Sequence, residues 1–197
     1  HTLVSISNLG LLLKAKGEAL EGRREILGNW HPHTLLAISN LGLLLKAKGD
    51  LAAAKPLLRE ALDVRRETLG NRHPSTLASV YSLGALLQVK GDLTAAEPLH
   101  REALEMQSET LGNRHPHTLV FIHGLSLLLM AKGDLAAAEP LLREALEGQR
   151  ATLGSGHPDT LLSINNLRVL MIRRRRDTYI AIILTLFVVC SAILWML

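Results

Sequence analysis

The stretch HTLLAISNLGLLLKAKGDLAAAKPLLREALDVRRETLGNRHP, residues 33–74, decides the fold because the chain repeats it. Every proline occupies one of two positions in a repeat of 42 residues. Four of them follow a histidine, at Pro32, Pro74, Pro116 and Pro158, and three lie mid-unit, at Pro56, Pro98 and Pro140. A fixed period of this length predicts an array of stacked structural units rather than one globular core.

Each unit predicts two helices, which we call helix A and helix B. Helix A is expected over residues 34–48, where Leu and Ala are dense, and Gly49 is expected to end it. Helix B is expected over 51–69, with its apolar residues along one stripe. Gly70 is expected to close helix B in a left-handed conformation. Pro56 lies inside helix B, which predicts a kink or a later start.

The composition agrees with an all-α chain. The 197 residues are 48% hydrophobic, mostly Leu and Ala, and only 3% aromatic, which argues against a β-sandwich, barrel or propeller. The single cysteine excludes a disulfide framework and a cysteine-built zinc site. Of the net charge of +4, residues 1–172 contribute only +1, from 18 Lys and Arg against 17 Asp and Glu. A nucleic-acid partner is not expected, because such proteins spread a basic stripe with interleaved aromatic residues.

The spacing inside the unit resembles that of the tetratricopeptide (TPR) repeat. The residues that carry the resemblance are Leu41, Gly42, Leu45, Ala54, Leu58 and Ala61. The longer unit, with A-E-P-L-x-R-E-A-L and L-G-x-x-H-P-x-T-L, is similar to the repeats of kinesin light chains and nephrocystin-type adaptors, over residues 1–172. Armadillo and HEAT repeats have periods of similar length but a different internal spacing. The resemblance implies a right-handed α-solenoid of antiparallel helix hairpins that binds other proteins.

The repeat divides the chain into seven segments. These are a truncated unit (1–32), three full units (33–74, 75–116 and 117–158), a partial unit with helix A only (159–172), a basic cluster (173–177) and an apolar segment (178–197). In the first unit, Asn8–Gly17 is identical to Asn40–Gly49, but the ten residues equivalent to 50–59 are missing. We therefore expect a frayed, poorly packed first hairpin. A natural shortening and an error in the gene model would both produce this pattern.

Residues 178–197 predict a transmembrane helix. They contain no charged residue, Pro or Gly, and twenty residues at 1.5 Å each cover about 30 Å, one hydrocarbon core. The flanking cluster Arg173, Arg174, Arg175 and Arg176 fits the positive-inside rule. A buried capping helix is the alternative, but a cap needs a polar outer face. The prediction is therefore a single-pass membrane protein with its repeats on the cytoplasmic side and lipid contacts through 178–197.

The sequence contains no recognisable catalytic or metal-binding motif. A nucleophile elbow, a Walker loop and HExxH are all missing. One histidine per unit precedes proline, at His31, His73, His115 and His157. Neighbouring units stack about 10 Å apart, too far for these histidines to share a zinc ion, so they are interpreted as helix caps. Neither an enzyme, a cofactor nor a metal site is predicted.

The resemblance implies a groove lined by the A helices that binds peptide segments. The residues it selects are Asn8, Lys14, Ser39, Asn40, Leu43, Lys46, Tyr81, Gln88, His123, Leu127, Asn165 and Asn166. An asparagine there can bond to an extended peptide backbone as donor and acceptor. For Asn40, a hydrogen bond between helices of the array is the alternative interpretation. The carboxylate clamp of chaperone-recruiting TPR domains is not matched, since Ser39, Tyr81 and His123 occupy its places.

Three functions are compatible with these features. The first is a membrane-tethered, non-enzymatic scaffold that binds partner peptides in the groove and links a membrane to a motor or signalling complex, as the resemblance to kinesin light chains implies. The second is a cytosolic repeat fragment joined to the first span of a larger membrane protein. The third is a docking receptor on an organelle surface.

Overall fold

The computed structural model describes the backbone of residues 2–196 and the side chains of residues 12–187. This part of the chain contains eight α-helices and no strand. The helices are α1 (Thr2–Leu27), α2 (Pro32–Lys48), α3 (Leu51–Leu69), α4 (Pro74–Lys90), α5 (Leu93–Leu111), α6 (Pro116–Lys132), α7 (Leu135–Leu153) and α8 (Pro158–Met196). Each helix packs against the next, and the A helices α2, α4, α6 and α8 also contact one another in turn. The predicted all-helical solenoid is confirmed.

The histidine of each His-Pro pair caps the following helix A. The Nδ1 atom of His73 accepts a hydrogen bond from the backbone N–H of Ser75 at 3.1 Å, and Pro74 takes the first helical position, where an N–H is not needed. His31, His115 and His157 do the same. The interpretation of these histidines as caps is confirmed. Among the described residues, no group of three His, Cys, Asp or Glu side chains is placed to hold a metal ion.

The turn between helices A and B depends on a glycine followed by an aspartate. Gly49 has a φ of 89°, in the left-handed region, and its backbone N–H and that of Asp50 bond back to carbonyls of α2. The carboxylate of Asp50 then accepts the N–H of Ala53 and caps α3. Because α3 begins at Leu51, the predicted later start at Pro56 is wrong.

Helix B ends differently from the prediction. Gly70 has a positive φ of 79°, but its ψ of 169° is extended rather than left-handed helical. The expected left-handed cap is therefore wrong in its ψ. A glycine is still required, because this combination of φ and ψ is accessible almost only to glycine.

The core lies where helix A crosses helix B of the same unit. A Cβ atom on Gly42 would lie 2.8 Å from a methyl carbon of Leu58, so the two helices could not approach this closely with a larger residue. The leucines at the centre of the array are almost fully buried, at Leu58, Leu62, Leu83, Leu86, Leu128 and Leu142. Their burial stabilises each hairpin and its contacts with the neighbouring units.

The two ends of the array differ from the middle. The prediction of a first hairpin is wrong, because residues 2–27 form the single helix α1. Its second half occupies the place of a helix B: Arg24 bonds to Glu60 just as Arg66 bonds to Glu102 one unit later. At the other end, the segments predicted separately as 159–172, 173–177 and 178–197 belong, as far as Met196, to the one helix α8.

The predicted transmembrane helix receives no support from the structure. In the part of the chain that is described, no helix is both long and apolar enough to cross a membrane. Residues 188–197 of that prediction lie outside the described side chains. Within the described part of α8, Tyr179, Ile183 and Phe187 are 67%, 63% and 71% exposed.

Candidate protein-binding groove

The A helices line one face of the array, which we call the A-helix groove. Its central part is an open cleft of about 550 Å³. Helix α4 contributes Ala78, Tyr81 and Ser82, helix α6 contributes Pro116, His117, Val120 and Phe121, and the α7–α8 junction contributes Gln149, Leu153, His157 and Asp159. The walls are therefore mostly apolar, with several polar groups among them.

Tyr81 joins the groove to the core beneath it. Its ring meets the ring of Phe121 edge-on at 4.9 Å between centroids, and that of His100 at 5.2 Å and 87°. A Cβ atom on Gly124 would lie 2.6 Å from the Tyr81 hydroxyl oxygen, so the tyrosine covers that glycine closely. Burial raises the pKa of Tyr81 above its usual value. The residue predicted for partner binding thus also holds α4 against α6.

His100 is a buried histidine at a position that holds leucine in the other two full units. It is 1% exposed, and neither ring nitrogen has a hydrogen-bond partner among the described residues. Leu58 and Leu142 occupy the same place one unit before and one unit after it. Burial, helped by the positive charge of Lys46, lowers the pKa of His100 to about 4. The imidazole is therefore neutral at pH 7.

Burial also lowers the pKa values of Lys46 and His123. Burial lowers the pKa of the half-buried Lys46 below its usual value. Burial also lowers the pKa of His123, against the opposing effect of the carboxylate of Asp159. The Nε2 atom of His123 lies 2.9 Å from the side-chain nitrogen of Asn166, which links α6 to α8. These two predicted groove residues are thus bound to each other.

A polar layer below the groove was missed by the sequence analysis. Arg65 is only 9% exposed and donates to the hydroxyl oxygens of Ser39 at 2.8 Å and Ser79 at 2.5 Å. Gln107 and Gln149 occupy the same position in the next two units and are 4% and 3% exposed. The recurrence of a long polar side chain every 42 residues on helix B could have revealed this layer.

Ser39 and Gln149 therefore have different roles. The hydroxyl of Ser39, which was predicted for partner binding, accepts a hydrogen bond from the guanidinium of Arg65 and donates one to the backbone carbonyl of Leu35. In contrast, the Oε1 atom of Gln149 is buried at the cleft and has no hydrogen-bond partner among the described residues. A buried acceptor without a hydrogen bond lowers the stability of the fold, and a partner could reach this oxygen only if the side chain moved.

The other predicted groove residues are spread along the A helices. Asn40, Leu43 and Asn165 are exposed, whereas Gln88 and Leu127 are half-buried. No side-chain hydrogen bond of Asn40 occurs within the described structure, so the alternative of an inter-helix bond is not seen there. Lys14 is exposed on α1, 3.8 Å from Glu18. The side chain of Asn8 lies outside the described residues.

The four arginines are exposed on α8, and one of them extends the regular contacts of the array. Arg174 is ion-paired with Glu139 of α7. The same pair exists one unit earlier between Lys132 and Glu97. Hydrogen bonds from Lys132 and Arg101 lower the pKa of Glu97 below its usual value, and hydrogen bonds from Arg143 and Arg174 do the same for Glu139. Helix α8 therefore packs as a helix A at least as far as Arg174.

Comparison with protein families and solved structures agrees with this architecture. Residues 26–169 match the family model of the MalT-like TPR region. No curated protein matches the chain.

Three solved structures illustrate the similarity. Two are crystal structures of a Podosopora anserina protein assigned as a kinesin light chain with nearly identical TPR-like repeats, one of them a single-residue variant. The variant has a TM-score of 0.75 and 26% identity, over 89% of this chain and 82% of its own. The other has 0.73 and 26%, over 89% and 83%. BtubC (BKLC) from P. vanneervenii, at 22% identity, shares the fold with a TM-score of 0.71 over 84% of this chain and 66% of its own. The predicted resemblance to kinesin light chain repeats is confirmed.

Proposed function

Since the chain belongs to the family of MalT-like TPR regions, we propose that it is a scaffold that binds a segment of another protein in the A-helix groove. Repeats of this kind generally bind other proteins, and the groove needs no cofactor or catalytic group to do so. The similarity to proteins assigned as kinesin light chains supports a partner from a motor or signalling complex.

The observation that carries this proposal is the open cleft between α4, α6 and the α7–α8 junction. Apolar side chains form its walls, and Val120 within it is 47% exposed. Burying such a surface against a partner's apolar side chain is favourable by about 25 cal/mol per Å².

The test compares two exposed valines on the A helices. Val120 lies in the cleft, whereas Val89, 60% exposed near the end of α4, does not line it. Proximity labelling in cells with the full chain is expected to find partners that Val120→Glu loses and Val89→Glu retains. If both variants label the same proteins as the original chain, the cleft is not the binding site. Circular dichroism of both variants checks that the fold is retained.

We propose in addition that α8 tethers the scaffold to a membrane, with the repeats on the cytoplasmic side. Support comes from the exposed apolar side chains between Tyr179 and Phe187, which follow the four arginines after Asp177 and Thr178. Arginines at this position favour the cytoplasmic face of a bilayer. The full chain is expected to remain in the membrane pellet after carbonate extraction, and Ile182→Asp with Ile183→Asp is expected to release it. Release of the unaltered chain would reject the tether but leave the groove proposal standing.

A further inference from the structure

In the full units, helix A covers one face of helix B. The equivalent face of helix α1 has no helix packed against it within the described structure. The second half of α1 takes the place of a helix B, as two equivalent contacts show. Arg24 pairs with Glu60 as Arg66 pairs with Glu102. The hydroxyl of Thr34 also bonds to the backbone carbonyl of Arg23, 11 residues earlier, as the same threonine does in the next unit. The helix A that should precede this helix B is replaced by the N-terminal extension of α1 itself.

The result is a vacant helix-A position at the N-terminal end. Ala61, Ala103 and Ala145 face helix A in their own units and are 0% exposed. The equivalent residue of α1, Ala19, is exposed. An open hollow of about 410 Å³ lies there, lined by Ala15, Lys16, Ala19, Arg23, His33, Leu36, Ala37 and Asn40. Small residues on α1 leave room for a helix backbone to approach.

The hollow is lined by positive charges, which favour an acidic occupant. Lys16 and Arg23 are both exposed, and neither forms an ion pair within the described structure. Lys16 stands where Leu58 meets Gly42 of helix A, and Arg23 stands where Arg65 meets Ser39. The lining holds two cations and no acid. A helix seated here would therefore present its residues at the Ser39 and Gly42 positions to these two cations.

A second copy of this chain does not fit the hollow. Its α8 is a helix A without a helix B of its own, and is therefore the element with the right shape. However, Arg168 stands at the position of Gly42 and Gly84, where helix A crosses helix B most closely. Docking would bring Arg168 against Lys16, and such like-charge contacts are unfavourable.

From this geometry we infer that the α1–α2 hollow is a second docking site, which takes an acidic amphipathic helix of a partner protein in the place of the missing helix A. The intact A helices have 17 residues, so the bound helix has four to five turns. Recognition uses Leu36 and Ala37 of α2. It also uses two carboxylates of the bound helix, placed three residues apart on one side, against Lys16 and Arg23. This site is separate from the A-helix groove cleft.

The test uses a labelled peptide with the sequence of α2, PHTLLAISNLGLLLKAK, and the full chain. The acidic peptide carries Ser39→Glu and Gly42→Glu, and its matched control carries lysine at both positions. The full chain is expected to bind the acidic peptide roughly three- to tenfold more tightly, as two exposed ion pairs would give. Fluorescence anisotropy measures both affinities.

Reversing the charges of the two cations in the hollow tests whether they cause the preference for the acidic peptide. Lys16→Glu with Arg23→Glu is expected to reverse the preference, so that the lysine peptide binds more tightly. Arg59→Glu with Arg150→Glu, exposed cations on other B helices, is the matched control and is expected to preserve it. Val120→Glu is expected to leave this binding unchanged, which separates it from the groove. Equal affinity for the two peptides, no binding of either, or an unchanged preference after charge reversal would each show that Lys16 and Arg23 merely form a solvated cap.

Discussion

Residues 8–17 and 40–49 share the sequence NLGLLLKAKG but have different structures. In the second copy, the last residue of this stretch, Gly49, has a φ of 89° and ends helix α2. In the first copy, Gly17 lies inside the continuous helix α1. The same ten residues therefore end a helix in one place and continue it in the other.

The residues that follow explain the difference. Asp50 closes the turn after Gly49: its backbone N–H bonds to the Leu45 carbonyl at 2.9 Å, and its carboxylate caps α3. After Gly17 the chain continues with Glu18, Ala19 and Leu20, which favour a helix. A glycine inside a helix costs only about 1 kcal/mol relative to alanine, so it does not by itself end one. The stop signal of this repeat is thus the pair Gly-Asp.

The largest expected effect is on the free energy of unfolding when the same structural position is substituted in a full unit and in α1. Leu58 is 2% exposed against Gly42, whereas the equivalent residue of α1, Lys16, is exposed. Leu58→Lys is expected to lower the free energy of unfolding by about 4 kcal/mol, because it buries an unpaired charge. Lys16→Leu is expected to change it by less than about 0.5 kcal/mol. Urea unfolding followed by circular dichroism measures both. Similar losses for the two variants would contradict the placement of α1.

Restoring the missing residues is the second comparison. A copy of Asp50–Arg59 inserted between Gly17 and Glu18 supplies the Gly-Asp signal and a complete helix B. We expect a new hairpin that covers the equivalent of Ala61 and raises the free energy of unfolding by about 2–3 kcal/mol, from one or two further buried side chains. The control insertion has the same ten residues in reversed order. If both insertions act alike, the turn signal is not the cause.

The third comparison is between His100 and the leucines of the flanking units. The pKa of His100 is lowered to about 4 by burial, so the unfolded chain binds the proton more readily. Stability is therefore complete above about pH 6.5 and falls as the pH approaches 4. Between pH 7 and pH 5 the loss is about 2 kcal/mol. His100→Leu is expected to remove most of this loss of stability. A smaller loss is expected to remain in that variant, because the pKa of His123 is also lowered.

The urea midpoint at the two pH values measures this effect. His33→Leu, at an exposed position on α2, is the control and is expected to leave the pH dependence intact. A pH dependence that survives in His100→Leu would contradict the assignment.

The smallest expected effect concerns the ion pairs between consecutive units. Glu97 pairs with Lys132, and Glu139 pairs with Arg174. One unit earlier the same two positions hold Lys55 and Lys90. Lys55→Glu is expected to raise the free energy of unfolding by about 0.5 kcal/mol, and less in 1 M salt. Lys55→Gln, which removes the repulsion without making a pair, is expected to give about half. A gain independent of salt would indicate another cause.

Much of the fold follows from local sequence signals. The His-Pro caps, the Gly-Asp turn and the apolar stripe recur every 42 residues, and the helix limits predicted for the unit at 33–74 lie close to those of α2 and α3. Which side chains of the candidate groove are exposed could not be predicted in the same way, since exposure depends on neighbours in other units. Ser39 is bound to Arg65, and Asn166 to His123, contacts between residues 26 and 43 positions apart.

The sequence by itself determined the repeat, its two helices and their order, because caps, turns and helical periodicity act over a few residues. Only the tertiary structure decided what happens at the ends of the array. There Ala19 is exposed although Ala61 is buried, because burial requires a neighbouring helix that the local sequence does not specify. The tertiary structure also decides the protonation of His100. Its replacement of leucine is visible in the sequence, but its pKa is lowered by the helices packed around it.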